Sequence, residues 1–133
     1  MMLTFVLLVF VGTISALSLF LFRWGVYDRC LKWLEAHRRA DELLRSVVTC
    51  EQYRRLKLQG FIDIPSSHVP QRPYRVPRDA GFVRVIESGR QTAYLCLQPV
   101  EKVPDADIVV MHKLMIETDE ESYLQLANKF RAI

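Results

Sequence analysis

Residues 82–97 read FVRVIESGRQTAYLCL. Two segments rich in β-branched and aromatic residues, Phe82 to Glu87 and Arg90 to Leu97, flank Ser88-Gly89, the two-residue spacing of a tight hairpin. With those two residues as the loop, Glu87 faces Arg90 and Val85 faces Thr92. One side then shows Phe82, Ile86, Ala93, Leu95 and Leu97, and the other Val83, Val85, Tyr94 and Cys96. Both faces are largely apolar, which predicts cover on both sides and a central place in a small antiparallel sheet.

Moving towards the N-terminus, residues 65–81 hold four of the six prolines: Pro65, Pro70, Pro73 and Pro77. Proline lacks an amide hydrogen and biases its predecessor towards extended geometry, so this segment is expected to be a stiff, polyproline-like loop with Tyr74 and Val76 tucked in. Pro70-Gln71-Arg72-Pro73 also fits the PxxP pattern of a ligand for an SH3-like groove. Before it, Phe61-Ile62-Asp63-Ile64 reads as a short strand. Thr49 with Gln52 three residues on is a capping box, predicting a helix through Tyr53, Leu56 and Leu58 to a left-handed stop at Gly60.

Towards the C-terminus, Pro99 and Pro104 bound a connection. The run from Ile108 to Ile116 has no useful period: Asp105 behind Pro104 favours a helix, while the β-branched residues favour a buried strand. The expectation is a third strand. Thr118-Asp119-Glu120-Glu121 is read as a second capping box, opening a helix over 119–130 that buries Tyr123, Leu124, Ala127 and Phe130.

The first 22 residues are of another kind. MMLTFVLLVFVGTISALSLFLF contains no charged side chain, so all the charge falls in the other 111 residues. As a helix it would span about 33 Å, against roughly 30 Å of bilayer hydrocarbon. A cleavable signal needs a basic start and a shorter apolar stretch, whereas this run continues through Phe22 past its small-residue pair Ser15-Ala16. A transmembrane helix over 1–22 is therefore expected, with Arg23, Trp24, Tyr27, Arg29 and Lys32 at the membrane interface. Arg23, Arg29, Lys32, Arg38 and Arg39 lie on the C-terminal flank, so the positive-inside bias puts the N-terminus outside and the rest in the cytoplasm. Cys30, Cys50 and Cys96, odd in number and without a short-spaced pair, suit a reducing compartment.

Residues 23–48 read as an amphipathic juxtamembrane helix. Val26, Cys30, Trp33, His37, Ala40, Leu44 and Val47 recur at steps of four and three, and Leu34, Leu43 and Val48 widen the stripe. It serves either to pack on the chain's own domain or to dock on a partner. Trp33 and His37 suit a simple homodimeric coiled coil poorly, so a larger partner surface is the better fit, with self-association as the lesser one.

The fold expected is α+β: one N-terminal transmembrane helix, the juxtamembrane helix 23–48, and a small cytoplasmic domain over 49–133 with a central antiparallel hairpin and flanking helices. Chemistry is hard to find in it. His37, His68 and His112 lack any metal-ligand spacing, and no glycine-rich phosphate loop exists. Cys96 with His112 as nucleophile and base, or Asp105 with Asp107 as paired acids, are better explained by burial and helix capping. No catalytic residue, metal or cofactor is expected.

Charge is uneven: residues 23–57 carry nine basic and five acidic side chains, while 101–133 carry four and seven. Two functions follow. The first is a non-catalytic accessory or assembly subunit, anchored in the lipid bilayer and bound to a protein partner in a membrane complex. The second is a membrane-tethered binder of nucleic acid or another acidic ligand through Arg54, Arg55, Lys57, Arg72, Arg75 and Arg78. Weak net charge and poor aromatic interleaving favour the first.

Overall fold

A computed structural model describes residues 2–132, and their side chains apart from those of residues 2–5, 7 and 8. Met1, the first residue of the expected span, and Ile133 lie outside the described residues. The chain is α+β with this order: α1 Met2–Val47, α2 Cys50–Gln59, β1 Phe61–Pro65, β2 Pro73–Pro77, β3 Val83–Glu87, β4 Arg90–Cys96, α3 Asp105–Thr118, α4 Glu120–Leu126 and β5 Asn128–Arg131. It divides into two compact units, Met1–Ala36 and His37–Ile133.

The first unit is helical throughout its described length. The hydroxyls of Thr13 and Ser15 donate back to the carbonyls of Phe10 and Val11, which lets an apolar helix carry them without an unmet polar group. Beginning at Val9, α1 is long and apolar enough to cross a membrane.

The second unit starts on the last turns of α1. Ala40, Leu44 and Val48 are buried, and Leu44 and Val48 join Leu56, Ile62, Tyr74 and Val109 in the core. Thr49 accepts from the Gln52 amide while the Gln52 side chain accepts from the Thr49 amide, so α2 starts on the expected capping box. It ends at Gly60, whose φ of +80° is left-handed and free of strain only for glycine. Asp41 ties the two helices: it accepts from the Tyr53 hydroxyl at 3.0 Å, from Lys57 Nζ at 3.0 Å and from Arg45 Nε at 3.2 Å.

Five strands form an antiparallel meander in the order β1-β2-β3-β4-β5. Ile62, Ile64, Tyr74, Val76, Val83, Val85, Ala93 and Leu95 are buried in alternation and make one covered face. The opposite face is open, with Arg84 and Phe130 exposed and Tyr94 half-buried, where cover on both sides was predicted.

The hairpin turns at Ser88-Gly89, both with positive φ, and pairs Glu87 with Arg90 as predicted. Beyond that the register departs. A bulge between Val85 and Ile86 pairs Val85 with Ala93 instead of Thr92. One extra residue reverses the alternation, so Val83 and Val85 share a face with Ala93 and Leu95 rather than opposing them.

Three further expectations are corrected. The proline segment is not all loop: Pro73 and Pro77 begin and end β2, where a missing amide costs the ladder least, and Tyr74 and Val76 point into the core. Residues 108–116 are not a strand but the middle of α3. Ile108, Val109, Val110, His112, Lys113 and Ile116 are buried around much of its circumference, which is why no helical period shows. The expected helix 119–130 is two elements. Asp119, not Thr118, caps α4, accepting from the Ser122 amide at 3.0 Å; Thr118 donates to the Leu114 carbonyl. The chain leaves α4 after Leu126 to form β5, where Phe130 is exposed rather than buried.

Truncation at the two ends of the amphipathic stripe separates core from surface. Leu44→Ala is expected to destabilise the domain by about 2–5 kcal/mol, as for a fully buried leucine. Val26→Ala should change it by less than about 0.5 kcal/mol. Urea unfolding of the detergent-solubilised chain, followed by near-UV tyrosine dichroism, checks both.

Candidate functional site

Three sets of residues have a claim to function: the stripe along α1, the cations, and the buried polar groups. The stripe splits. Ala40 and Leu44 are buried in the domain core, and His37 and Val47 are half-buried. Val26, Trp33 and Leu34 are 49%, 54% and 51% exposed, and Cys30 is exposed as well. Leu31, off the predicted stripe, adds a further exposed apolar side chain. Among the interface residues, Trp24 and Tyr27 are exposed and the Trp24 ring lies 5.9 Å from that of Phe20. Arg29 donates to the Gly25 carbonyl and Lys32 pairs with Asp28 at 2.7 Å.

The six cations of the proposed basic patch line three different cavities. Arg54, Arg55 and Arg75 line a cavity of about 440 Å³, which they share with Glu51 and Asp63. Arg54 and Arg55 both pair with Glu51, and Arg75 makes a two-pronged pair with Asp63 at 2.8 and 2.9 Å while stacking 4.0 Å over Phe61. Lys57 and Arg78 line a second cavity beside Asp41, Asp79 and Asp105. Arg72 stands apart, paired with Glu87 at 2.7 Å. Five of the six thus hold a carboxylate already, a neutralisation that the chain's net charge of +3 conceals.

The buried polar groups were the least visible in sequence. Glu120, 2% exposed at the first turn of α4, accepts from the Tyr74 hydroxyl at 2.5 Å, Ser66 Oγ at 2.6 Å and the Ser67 and His68 amides at 2.6 and 3.3 Å. Burial pushes its carboxyl up, but these donors outweigh that and hold it below the usual glutamate value. Burial and the adjoining carboxylate push Tyr74 up to about 12. The whole group fastens the β1–β2 loop to α4. The only local signal was Ser66-Ser67 after a strand, too common to name a partner 53 residues away.

His112, also 2% exposed, hydrogen-bonds through Nδ1 with the Tyr123 hydroxyl at 3.0 Å, their rings edge to face. Its partner is therefore a tyrosine, not Cys96. Burial lowers the imidazole to about 4, so it is neutral at physiological pH, and burial raises Tyr123 well above its ordinary value. Lys113 is paired with Glu117 one turn on. Each buried titratable group has a structural partner. Among the described residues no three histidine, cysteine or carboxylate side chains gather as a metal set. Asp105 and Asp107 lie in the first turn of α3, where acids favour the helix dipole.

No family model, curated protein or solved structure matches the chain.

His112 makes stability depend on pH in a defined window. Unfolded, it takes a proton below about pH 6.5; folded, it resists until about 4. The unfolded state binds more protons between these limits, so stability is complete above 6.5 and falls as pH drops, by about 1.4 kcal/mol per pH unit and on the order of 3 kcal/mol in all. His112→Gln should remove that slope between about pH 6.5 and 5.5, above the range where Glu120 begins to contribute. Chemical denaturation of both proteins across this range is the check.

Proposed function

We propose that this chain is a single-pass, membrane-anchored accessory or assembly subunit of a larger membrane protein complex, and that it performs no catalysis. Its apolar N-terminal helix lies in lipid, the N-terminus faces outwards, and the α+β domain is cytoplasmic. The observation that carries this reading is the exposure of α1. Its apolar side chains from Val9 to Phe22 and onward to Leu34 are open, while Ala40 and Leu44 on the same stripe are buried. Lipid accounts for the first part. Trp33, Leu34, Leu31 and Val26 lie beyond one bilayer thickness, about 20 residues of helix, and a protein surface accounts for them.

The interface residues and the positive flank support the orientation, since a basic segment is held by the anionic cytoplasmic leaflet at about 1 kcal/mol per lysine or arginine near the surface. The absence of catalysis is supported by the structural partners of the buried polar groups: Glu120 holds Tyr74, Ser66 Oγ and the Ser67 and His68 amides, and His112 holds Tyr123. The alternative, a tethered binder of nucleic acid or another polyanion, must draw Arg54, Arg55, Lys57, Arg72 and Arg75 away from their carboxylates. That competition weakens it.

Size analysis after gentle detergent extraction tests the assembly. The chain is expected in a complex several times its own 15.5 kDa. Trp33→Asp with Leu34→Asp should release it as a monomer whose domain melts within about 2 °C of the parent, surface changes of this kind costing little. A wild-type monomer in every mild detergent would contradict the proposal.

A further inference from the structure

At the far edge of the sheet from β1, β5 pairs only with β4. The Ala132 amide donates to the Thr92 carbonyl at 3.1 Å, and Ala93 to Cys96 pair with Arg131 to Asn128 without a break. In an antiparallel ladder the residues alternate between facing the partner and facing away. Asn128, Phe130 and Ala132 therefore turn their backbone groups inward, and Lys129 and Arg131 present theirs outward. All four residues of β5 are exposed.

The side chains along this edge also alternate. Lys129 and Arg131, opposite Leu95 and Ala93, lie on the helix-covered side, where they border a cavity of about 230 Å³ with Arg72, Thr92 and Leu124. Neither has an ion pair among the described residues, and the one carboxylate in that lining, Glu87, is engaged by Arg72. Phe130, opposite Tyr94, lies on the open side, its ring 6.0 Å from Phe82, which in turn is 6.3 Å from Tyr94. The edge is thus cationic on one side and aromatic on the other, with free main-chain donors and acceptors between.

We propose that this edge receives an extended segment of a partner protein as a sixth strand, with acidic side chains alternating with apolar ones. Residues of the added strand that oppose Lys129 and Arg131 fall on the cationic side, and the one opposing Phe130 falls on the aromatic side. Main-chain bonds supply affinity and the alternation supplies selection. A second copy of this chain fits poorly. Antiparallel pairing of two β5 edges sets Lys129 and Arg131 against each other or themselves, and like charges directly opposite are destabilising. This inference goes beyond the anchored-subunit reading and needs no membrane, so either can fail alone.

The probe is a fluorescent eight-residue peptide, blocked at both ends and alternating glutamate with valine, titrated onto the full chain in detergent micelles. Controls carry lysine for glutamate, or proline at two central positions. The alternating acidic peptide should bind and slow amide exchange at Lys129 and Arg131 at least ten-fold. The double variant Lys129→Glu, Arg131→Glu should weaken binding at least ten-fold, and both controls should fail to bind. Equal binding of the lysine peptide, or unchanged exchange of the two amides at saturation, overturns the proposal. So does an edge already protected in a peptide-free dimer, which would assign it to a second copy.

Discussion

Water does not tolerate a helix that is apolar on all sides, and residues 2–22 of this chain make one. Nothing in that stretch is charged, the Thr13 and Ser15 hydroxyls are turned back on their own helix, and its described side chains are exposed. It is long and apolar enough to cross a membrane, and lipid is the cover proposed for it. On that proposal rest the interface role of the aromatics, the orientation read from the flanking cations and the cytoplasmic setting of the domain, all proposed above. The partner face proposed on α1 rests on the exposed apolar side chains that continue past the length a bilayer can cover.

The domain solves a separate problem, that of closing a small core with few glycines and many prolines. It does so with two polar knots. Asp41 gathers Tyr53, Lys57 and Arg45 where α1 meets α2, and the Tyr53 ring lies beneath both cations, 4.8 Å from Arg45 and 5.2 Å from Lys57. Glu120 gathers Tyr74, Ser66 and two loop amides where the sheet meets α4. A buried carboxylate such as Glu120 is expensive unless fully bonded, and its donors meet that cost, whereas Asp41 is only half-buried. His112 and Tyr123 complete the interior as a neutral pair.

Local chemistry was readable in the sequence wherever a few adjacent residues decide the outcome. Thr49 with Gln52, the stop at Gly60, the turn at Ser88-Gly89 and the burial of Tyr74 and Val76 all belong to this class. What escaped was decided by distant residues. The bulge at Val85/Ile86 has no turn or proline signal to mark it in the hairpin sequence. Buried around much of its surface, α3 has the same unbroken apolar run as an interior strand. Phe130 looked like the last residue of a helical stripe because its role as an edge residue depends on β4. The proposed basic patch was a count of cations, and sequence did not show that five of them pair with Glu51, Asp41, Glu87 and Asp63. Periodicity on α1 grouped Leu44, which is buried, with Val26 and Trp33, which are exposed, a division that sequence spacing does not carry.

Alkaline carbonate extraction of membranes from cells expressing the full chain bears most directly on all of this, since it strips peripheral proteins and leaves lipid-spanning ones. Quantitative recovery in the membrane pellet, with residues 1–22 still attached, is the result this account predicts. Release into the carbonate supernatant, or a membrane-free chain beginning near Leu17, would contradict it.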